Sequence, residues 1–509
     1  MVIAKRLHLL FGRGRPNKMS AQVCARLRLK KKDKMTKISP ENYVAEARKA
    51  IKNQVLQRAL ADLQNRFGRG TAESYRRLPE GPGLRLKAHD IRMQTIENLD
   101  VVLETLAANI RTHGGRVFFA KDGQAAIHYC LEVAQRHKVK RVVKGKSMVS
   151  EEIGLNDALI NSGIDVFETD LGEYIIQLAG ETPSHIIAPA IHKTRDDVGN
   201  LFADKLDIPY ETDPPRLTWI ARKALREKFV TADMGTSGCN IACAETGHIT
   251  TVSNEGNIRM STTLPRVHIA IMGMERVAAR LEDHDILLRL LCRGAAAQNM
   301  ATYVSYIGGP RCANQADGPE EFHLVVLDNG RSRILADEQF REMLCCIRCA
   351  ACLNVCPVYG KIGGHSYGYA YSGPVGAVVT PLLVGINRAK DLCLGETLCG
   401  ACQDICPVNI NLPRMLLALR NKLAEGDTVW GVTPADRKEK FLFQAWSWMI
   451  RNRKWYDLAL KLAATGQKLF TQKDGMIRRL PPPSHGWTKA RDIRPLAAES
   501  FVRRWKKGI

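Results

Sequence analysis

The stretch CIRCAACLNVCP at 346–357 carries four cysteines spaced by three, three and four residues, and CGACQDICP at 399–407 repeats the last three. Iron in a cubic cluster takes one thiolate per metal atom. Three cysteines at a spacing of three turn their sulfurs inward on one tight loop. A fourth, followed by proline, starts a new direction and reaches a different centre. In two-cluster ferredoxins the fourth cysteine of each run ligates the other cluster. On that rule one [4Fe-4S] cluster takes Cys346, Cys349, Cys352 and Cys406, and a second takes Cys356, Cys399 and Cys402. The chain must therefore fold the two runs side by side.

Zinc is the competing reading of paired C-x2-C units. The triplet C-x2-C-x2-C crowds three ligands too tightly for a zinc ribbon, and C-x3-C-P occurs twice. The cluster reading is preferred. It leaves an eighth ligand to be found, because the position matching Cys346 in the second run is Glu396. Four answers stay open: Cys393 looping back, the Glu396 carboxylate, Cys345 beside the first run, or no protein ligand, which leaves a three-iron cluster or an open iron. The plain reading of Cys345 and Cys393 is a small buried residue.

Nine of the fifteen cysteines fall between 345 and 406, so they do not form the dispersed pairs of a secreted disulfide protein. A reducing, cytoplasmic setting is expected. The net charge of +23 raises the question of nucleic acid, but residues 1–34 carry +10 of it and residues 451–509 carry +11. A near-neutral body between two basic ends does not describe a nucleic-acid reader, and no such partner is expected. The basic C-terminal end suits a solvated tail, or peripheral docking on an anionic membrane surface near the quinone pool. The most apolar run, 371–386, is broken by Gly and Pro and is too short to span a bilayer. Residues 1–34 lack the pattern of a secretory signal. They are read as a basic extension, disordered or an over-long start, with Met35 as the alternative start.

From 39 to 330 helical and extended patterns alternate, which argues an α/β sheet domain with N-terminal helices. Ser39-Pro40-Glu41 opens a long amphipathic stretch to Phe67, and a second helix stops at Gly114-Gly115. Extended runs are expected at 116–120, 141–145, 185–190, 240–252, 266–273 and 323–330. Residues 331–425 read as a helical two-cluster ferredoxin-type domain. Residues 426–509 read as a helical, tryptophan-rich domain with a basic tail.

Several long phrases accompany the cysteines: KGKSMVSEEIGLN (144–156), ETDLGEYIIQLAGETPSHIIAPAIHK (168–193), AETGHITTVSNEGNIRMSTTLPRVHIAIMG (244–273) and CIRCAACLNVCPVYGKIGGHSYG (346–368). With the order of parts, they resemble the lactate utilization protein B family, from about residue 40 to the C-terminal region. The resemblance implies iron–sulfur proteins required for growth on L-lactate, acting with two companion lactate-utilization proteins. It also implies a sheet domain related to phosphosugar-isomerase and CoA-transferase folds, a helical two-cluster ferredoxin and a family-specific C-terminal domain. The family's second motif likewise has three cysteines, and its ligands carry over to Cys346, Cys349, Cys352, Cys356, Cys399, Cys402 and Cys406.

Other motifs are weaker. Lys144-Gly145-Lys146-Ser147 ends like a phosphate-binding loop, but Lys140 stands where that loop needs glycine, so only an anion contact by Lys144 or Lys146 remains. The Gly-rich stretch 235–247 contains Glu245, a candidate nucleophile by analogy with related sheet folds, though a tight turn is the simpler reading. Cys239 and Cys243 are expected on one face of a strand as packing residues. His185 and His192 are expected to be hydrogen-bonded structural residues. No flavin or nicotinamide motif is visible, and no catalytic residue is assigned. The expected role is an electron-transfer component of an L-lactate oxidation system, relaying electrons through two [4Fe-4S] clusters. The alternatives are a hydro-lyase using an open iron as Lewis acid, and a redox-sensing or structural cluster protein.

Overall fold

The computed structural model describes residues 2–12 and 39–509, except Pro483, Ala490, Ala498 and Ile509. Ten strands occur in chain order: β1 (Arg116–Ala120), β2 (Arg141–Lys144), β3 (Asp165–Glu168), β4 (Met234–Gly238), β5 (Ile241–Cys243), β6 (His248–Ser253), β7 (Val267–Gly273), β8 (Val277–Ala278), β9 (Tyr303–Ile307) and β10 (Glu321–Leu327). Six of them form a parallel sheet in the order β1-β10-β7-β4-β2-β3. Helices cover it, as parallel strands require. Val142, Ile269, Ile271 and Val325 are wholly buried, each side chain stabilising by about 1.5–3 kcal/mol. The strands of a smaller sheet, β8-β5-β6-β9, are interleaved in the chain with β4, β7 and β10 of the first.

The α/β reading holds, with local corrections. Residues 185–190 form bends rather than a strand, and the 240–252 run splits into β5 and β6 around a turn. Cys239 therefore lies between β4 and β5, and does not share a strand face with Cys243. The long N-terminal helix is broken at Asn53, whose side chain caps the helix Gln54–Leu63 by accepting from the Leu56 amide at 3.1 Å. Of the basic N-terminal extension, Val2–Gly12 is a helix with Leu7 and Phe11 buried, so this part is not disordered. Phe11 stands edge-on to Phe119 of β1 at 5.4 Å. The rest of that extension lies outside the described residues.

After β10 the chain becomes helical. The apolar run at 371–386 forms the helix Gly373–Val384, buried over most of its length, which explains its hydropathy as core. Among the described residues no helix is long and apolar enough to cross a membrane.

The chain divides into two compact units, the first spanning 1–423 with 427–432 and the second 424–426 with 433–509. The second is built on the helices Arg437–Arg451 and Arg453–Gly466, with Trp448 and Trp455 at 5.5 Å between ring centroids.

Candidate iron–sulfur centre

The two cysteine runs adopt the same backbone twice. In the first, Arg348 (φ 58°) and Ala350 (φ 66°) are left-handed, and a short helix Ala351–Val355 follows. In the second, Leu398 (φ 57°) and Gly400 (φ 88°) are left-handed, and the short helix Ala401–Asp404 follows. Non-glycine residues pay strain to sit there. The loops therefore keep a costly shape that aims several side chains at one point.

Cys346, Cys349, Cys352 and Cys406 line one small cavity, floored by Met343 and Val375. This is the set assigned to the first cluster, with Cys406 supplied by the second run. Among the described residues no three His, Cys, Asp or Glu side chains converge closely enough to hold a single metal ion. The four sulfurs surround a space instead. Burial pushes the thiols of Cys349 and Cys352 well above their ordinary value, and that of Cys406 up to about 11. The Arg348 amide donates to Cys346 Sγ at 3.4 Å.

Glu396, just before the second run, lies beside Cys356 of the first run and acts on Cys402, as does Cys399. Cys356 Sγ donates to Glu396 Oε2 at 3.3 Å, and Tyr367 donates its hydroxyl to Glu396 Oε1 at 2.8 Å. Burial raises the Cys402 thiol to about 12, and the nearby Glu396 carboxylate adds to the effect. Cys399 is exposed, whereas no cysteine of the first set is, so this centre is the more open of the two. Cys345 and Cys393 point elsewhere. Cys345 Sγ meets Met93 Sδ at 3.4 Å, and Cys393 Sγ faces the Ala389 carbonyl at 3.8 Å.

Arginines distant in sequence pin the cysteine loops by their carbonyls. Arg92 donates to Leu344 O at 2.9 Å and Cys345 O at 3.3 Å, Arg276 to Cys346 O at 3.1 Å, and Arg85 to Cys406 O at 2.9 Å. Each brings a positive charge toward a site whose thiolates are negative. Sequence reasoning missed them, since nothing in their local pattern marks them.

A crevice opens at the carboxyl ends of β2 and β4, where neighbouring strands lead the chain in opposite directions. Ligands of open α/β sheets bind at such places. It is lined by Lys146, Ser147, Cys239, Asn240, Arg276 and Arg348. Lys144 is committed elsewhere, buried in an ion pair with Glu168 at 2.6 Å, so of the two expected anion contacts only Lys146 lines the crevice. Arg348 belongs to the loop between Cys346 and Cys349, so the crevice adjoins the first cysteine centre. Glu245 is exposed and accepts from the Leu281 amide at 2.7 Å at the start of the helix Leu281–Ala296, with no sign of a nucleophile's setting. His185 Nδ1 accepts from the amides of Ile187 and Ala188, and its Nε2 meets Asn354 Oδ1 at 3.2 Å. His192 pairs with Glu181 at 2.7 Å. Both histidines have structural partners.

Comparison with known proteins fits this division. Residues 103–327 match the LUD domain, and residues 342–410 match the 4Fe-4S dicluster domain. Lactate utilization protein B of Oceanobacillus iheyensis is 42% identical over 471 residues, covering 92% of this chain and 97% of that protein. The chain belongs to the lactate utilization protein B family. Its relative in Bacillus subtilis, of the same name, is 41% identical over 470 residues, again 92% of this chain and 96% of its own. A solved DUF162 family protein from Deinococcus radiodurans aligns with 45% of this chain and 98% of its own, at 12% identity and a TM-score of 0.26, too low to support an argument about fold. As a member of the lactate utilization protein B family with a 4Fe-4S domain, the chain has a role in lactate utilization that involves iron–sulfur chemistry.

Proposed function

We propose that this protein is the electron-relay component of an L-lactate oxidation system, passing electrons between companion lactate-utilization proteins and a downstream acceptor. The observation that supports it most is the paired cysteine loop, the second copy the more open of the two at Cys399. Cys346, Cys349, Cys352 and Cys406 would hold the first [4Fe-4S] cluster, and Cys356, Cys399 and Cys402 belong to the second. Two such clusters supply one-electron carriers, which suits a substrate that gives up two electrons. The chain's own residues set the terms of transfer. Burial dries the first site, Arg85, Arg92 and Arg276 bring positive charge to its edge, and Cys399 leaves the second within reach of a redox partner. The adjoining crevice is where the α/β domain, of phosphosugar-isomerase and CoA-transferase type on this reading, would take its ligand.

The decisive experiment follows cluster reduction anaerobically. L-Lactate is expected to bleach the cluster absorbance only when the companion proteins are present. Bleaching by lactate with this protein alone, or none with the full set, would end the relay reading.

The second unit is assigned to an anionic membrane surface. Phe441, Leu442, Phe443, Trp446, Trp448 and Trp505 are all more than half exposed, and residues 451–509 carry +11. Exposed aromatics interleaved with Lys and Arg match interfacial docking, where each basic residue near the surface contributes about 1 kcal/mol. The full-length protein is expected to co-sediment with phosphatidylglycerol vesicles at low salt, to dissociate as salt rises, and to ignore phosphatidylcholine vesicles. Trp446→Ser with Trp448→Ser should weaken binding several-fold. If binding to the acidic vesicles is absent at low salt, the surface belongs to a protein partner instead.

A further inference from the structure

We propose that the carboxylate of Glu396 is the eighth ligand, completing the second iron–sulfur centre as the oxygen counterpart of Cys346 in the first. The inference rests on the two-cluster reading above and names the group that completes one of the clusters.

The register of the two loops is the first argument. Glu396 precedes Cys399 and Cys402 by the same intervals that separate Cys346 from Cys349 and Cys352. The correspondence extends to the backbone. Arg348 and Ala350 are left-handed in one loop, Leu398 and Gly400 in the other, and each pair leads into a short helix. Residue 396 thus starts the same turn that residue 346 starts.

The direction of the side chain is the second argument. Glu396 is buried at 7% exposure, and its Oε2 lies 3.3 Å from the sulfur of Cys356, a ligand contributed by the other run. The two oxygens have separate tasks. Oε1 accepts from Tyr367, which fixes the carboxylate plane, and Oε2 faces the cysteine centre. A hydrogen bond to the far oxygen is how carboxylate ligands are oriented at metal sites. Arg420 holds the backbone beneath, donating to Glu396 O at 2.7 Å and Cys393 O at 2.8 Å. The rival candidates are spent: Cys345 is turned to Met93, and Cys393 to the carbonyl of its own helix.

The bland account is that Glu396 exists to hold Tyr367. It explains one oxygen and leaves the other bonded only to the thiol of Cys356, a residue that the two-cluster reading gives to iron and that would then lose its proton. A carboxylate is a harder donor than a thiolate, so the iron it holds would differ from its neighbours and be the easiest to lose.

The test uses the full-length protein purified anaerobically with its clusters, read by Mössbauer and EPR spectroscopy and by iron content. The native protein should hold about eight irons, four per cubane, one of them spectroscopically distinct. Glu396→Gln keeps an acceptor for Tyr367 but loses the anionic donor. It should drop about one iron and give the EPR signal of a three-iron cluster on mild oxidation, while the first centre stays intact. Glu396→Cys should restore about eight irons and erase the distinct one. An unchanged spectrum in Glu396→Gln, or a three-iron signal in Cys393→Ser instead, overturns the ligand assignment and leaves the relay standing. A native protein whose iron stops at about one cubane overturns the two-cluster reading itself. If Glu396 ligates but lactate never reduces the clusters, only the relay falls.

Discussion

The Cys352→Ala variant is expected to lose the first cluster and, with it, all lactate-dependent reduction of the protein. About half of the iron and sulfide should disappear, because alanine removes the last thiolate of the C-x2-C-x2-C triplet on the cavity wall, whereas Gln at 396 keeps its hold on Tyr367 and the shape of its loop. Cys352 is the most informative choice because cysteines of both runs act on its thiol. Burial raises its thiol, and Cys346, Cys349, Cys402 and Cys406 all add to the effect. The second cluster should persist, since Cys356, Cys399 and Cys402 are untouched. Iron analysis with dithionite-reduced EPR reads the result directly. Full iron retention would show that the four residues lining the first cavity are not a ligand set. Loss of both clusters together would show that the two centres assemble as one unit.

The second large effect lies in the α/β domain. Arg331 is 1% exposed and bridges two buried carboxylates, Glu152 at 2.7 Å and Glu275 at 2.8 Å. Tyr371, from the cysteine-bearing region, donates to the same Glu152 at 2.6 Å, and Asn329 donates at 2.7 Å. Arg348, in the first cysteine loop, stands 3.6 Å from Glu275. One ionic network therefore ties the helix Met148–Ile153 and the segments after β7 and β10 to the cysteine loop. Removing one partner of a buried pair leaves an uncompensated charge, so Arg331→Met should destabilise the protein by about 3–5 kcal/mol in a urea titration at neutral pH. A loss near zero would mean that Arg348 and Arg276 suffice for both carboxylates.

The pH dependence fixes the mechanism. Burial would raise Glu152 and Glu275, but Arg331 outweighs it, and both carboxyls sit below the ordinary carboxylate range. Groups depressed on folding contribute stability above the unfolded carboxyl pKa and lose it as pH falls through the folded value. The native protein should therefore weaken in acid. The gap between native and Arg331→Met should narrow there, because protonated carboxyls no longer need the guanidinium. A gap that does not change with pH would point to lost packing rather than lost charge.

Much of the cluster site was legible because its logic is local. Cysteines three apart on a short loop converge whatever surrounds them, so Cys346, Cys349 and Cys352 followed from spacing, and Cys406 from the rule that paired runs exchange their fourth cysteine. Strands β1, β7 and β10 were readable as apolar runs, and β2 as a short Val-rich one. By contrast β4, MGTSG, carries small polar residues where the helix Asn257–Thr263 presses close. The carbonyl of Ser261 would lie 1.8 Å from a Cβ placed at Gly235. β3, DVFE, is short and charged at both ends, one of them (Glu168) spent on pairing with Lys144 inside the fold. Neither looks like a strand without its neighbours. The run at 185–190 misled in the opposite sense: its isoleucines are apolar because Ile186 is buried, not because the backbone is extended.

By itself the sequence determined the family, through the long phrases it shares with it, and the paired cysteine loops and the alternation of helix and strand, through spacing and periodicity along the chain. Only the tertiary structure decided which way Glu396, Cys393 and Cys345 face. It also brought Arg92, Arg276 and Arg331 from distant segments to the cysteine region. Side-chain direction and long-range charge pairing depend on which elements pack together, and no window of residues carries that information.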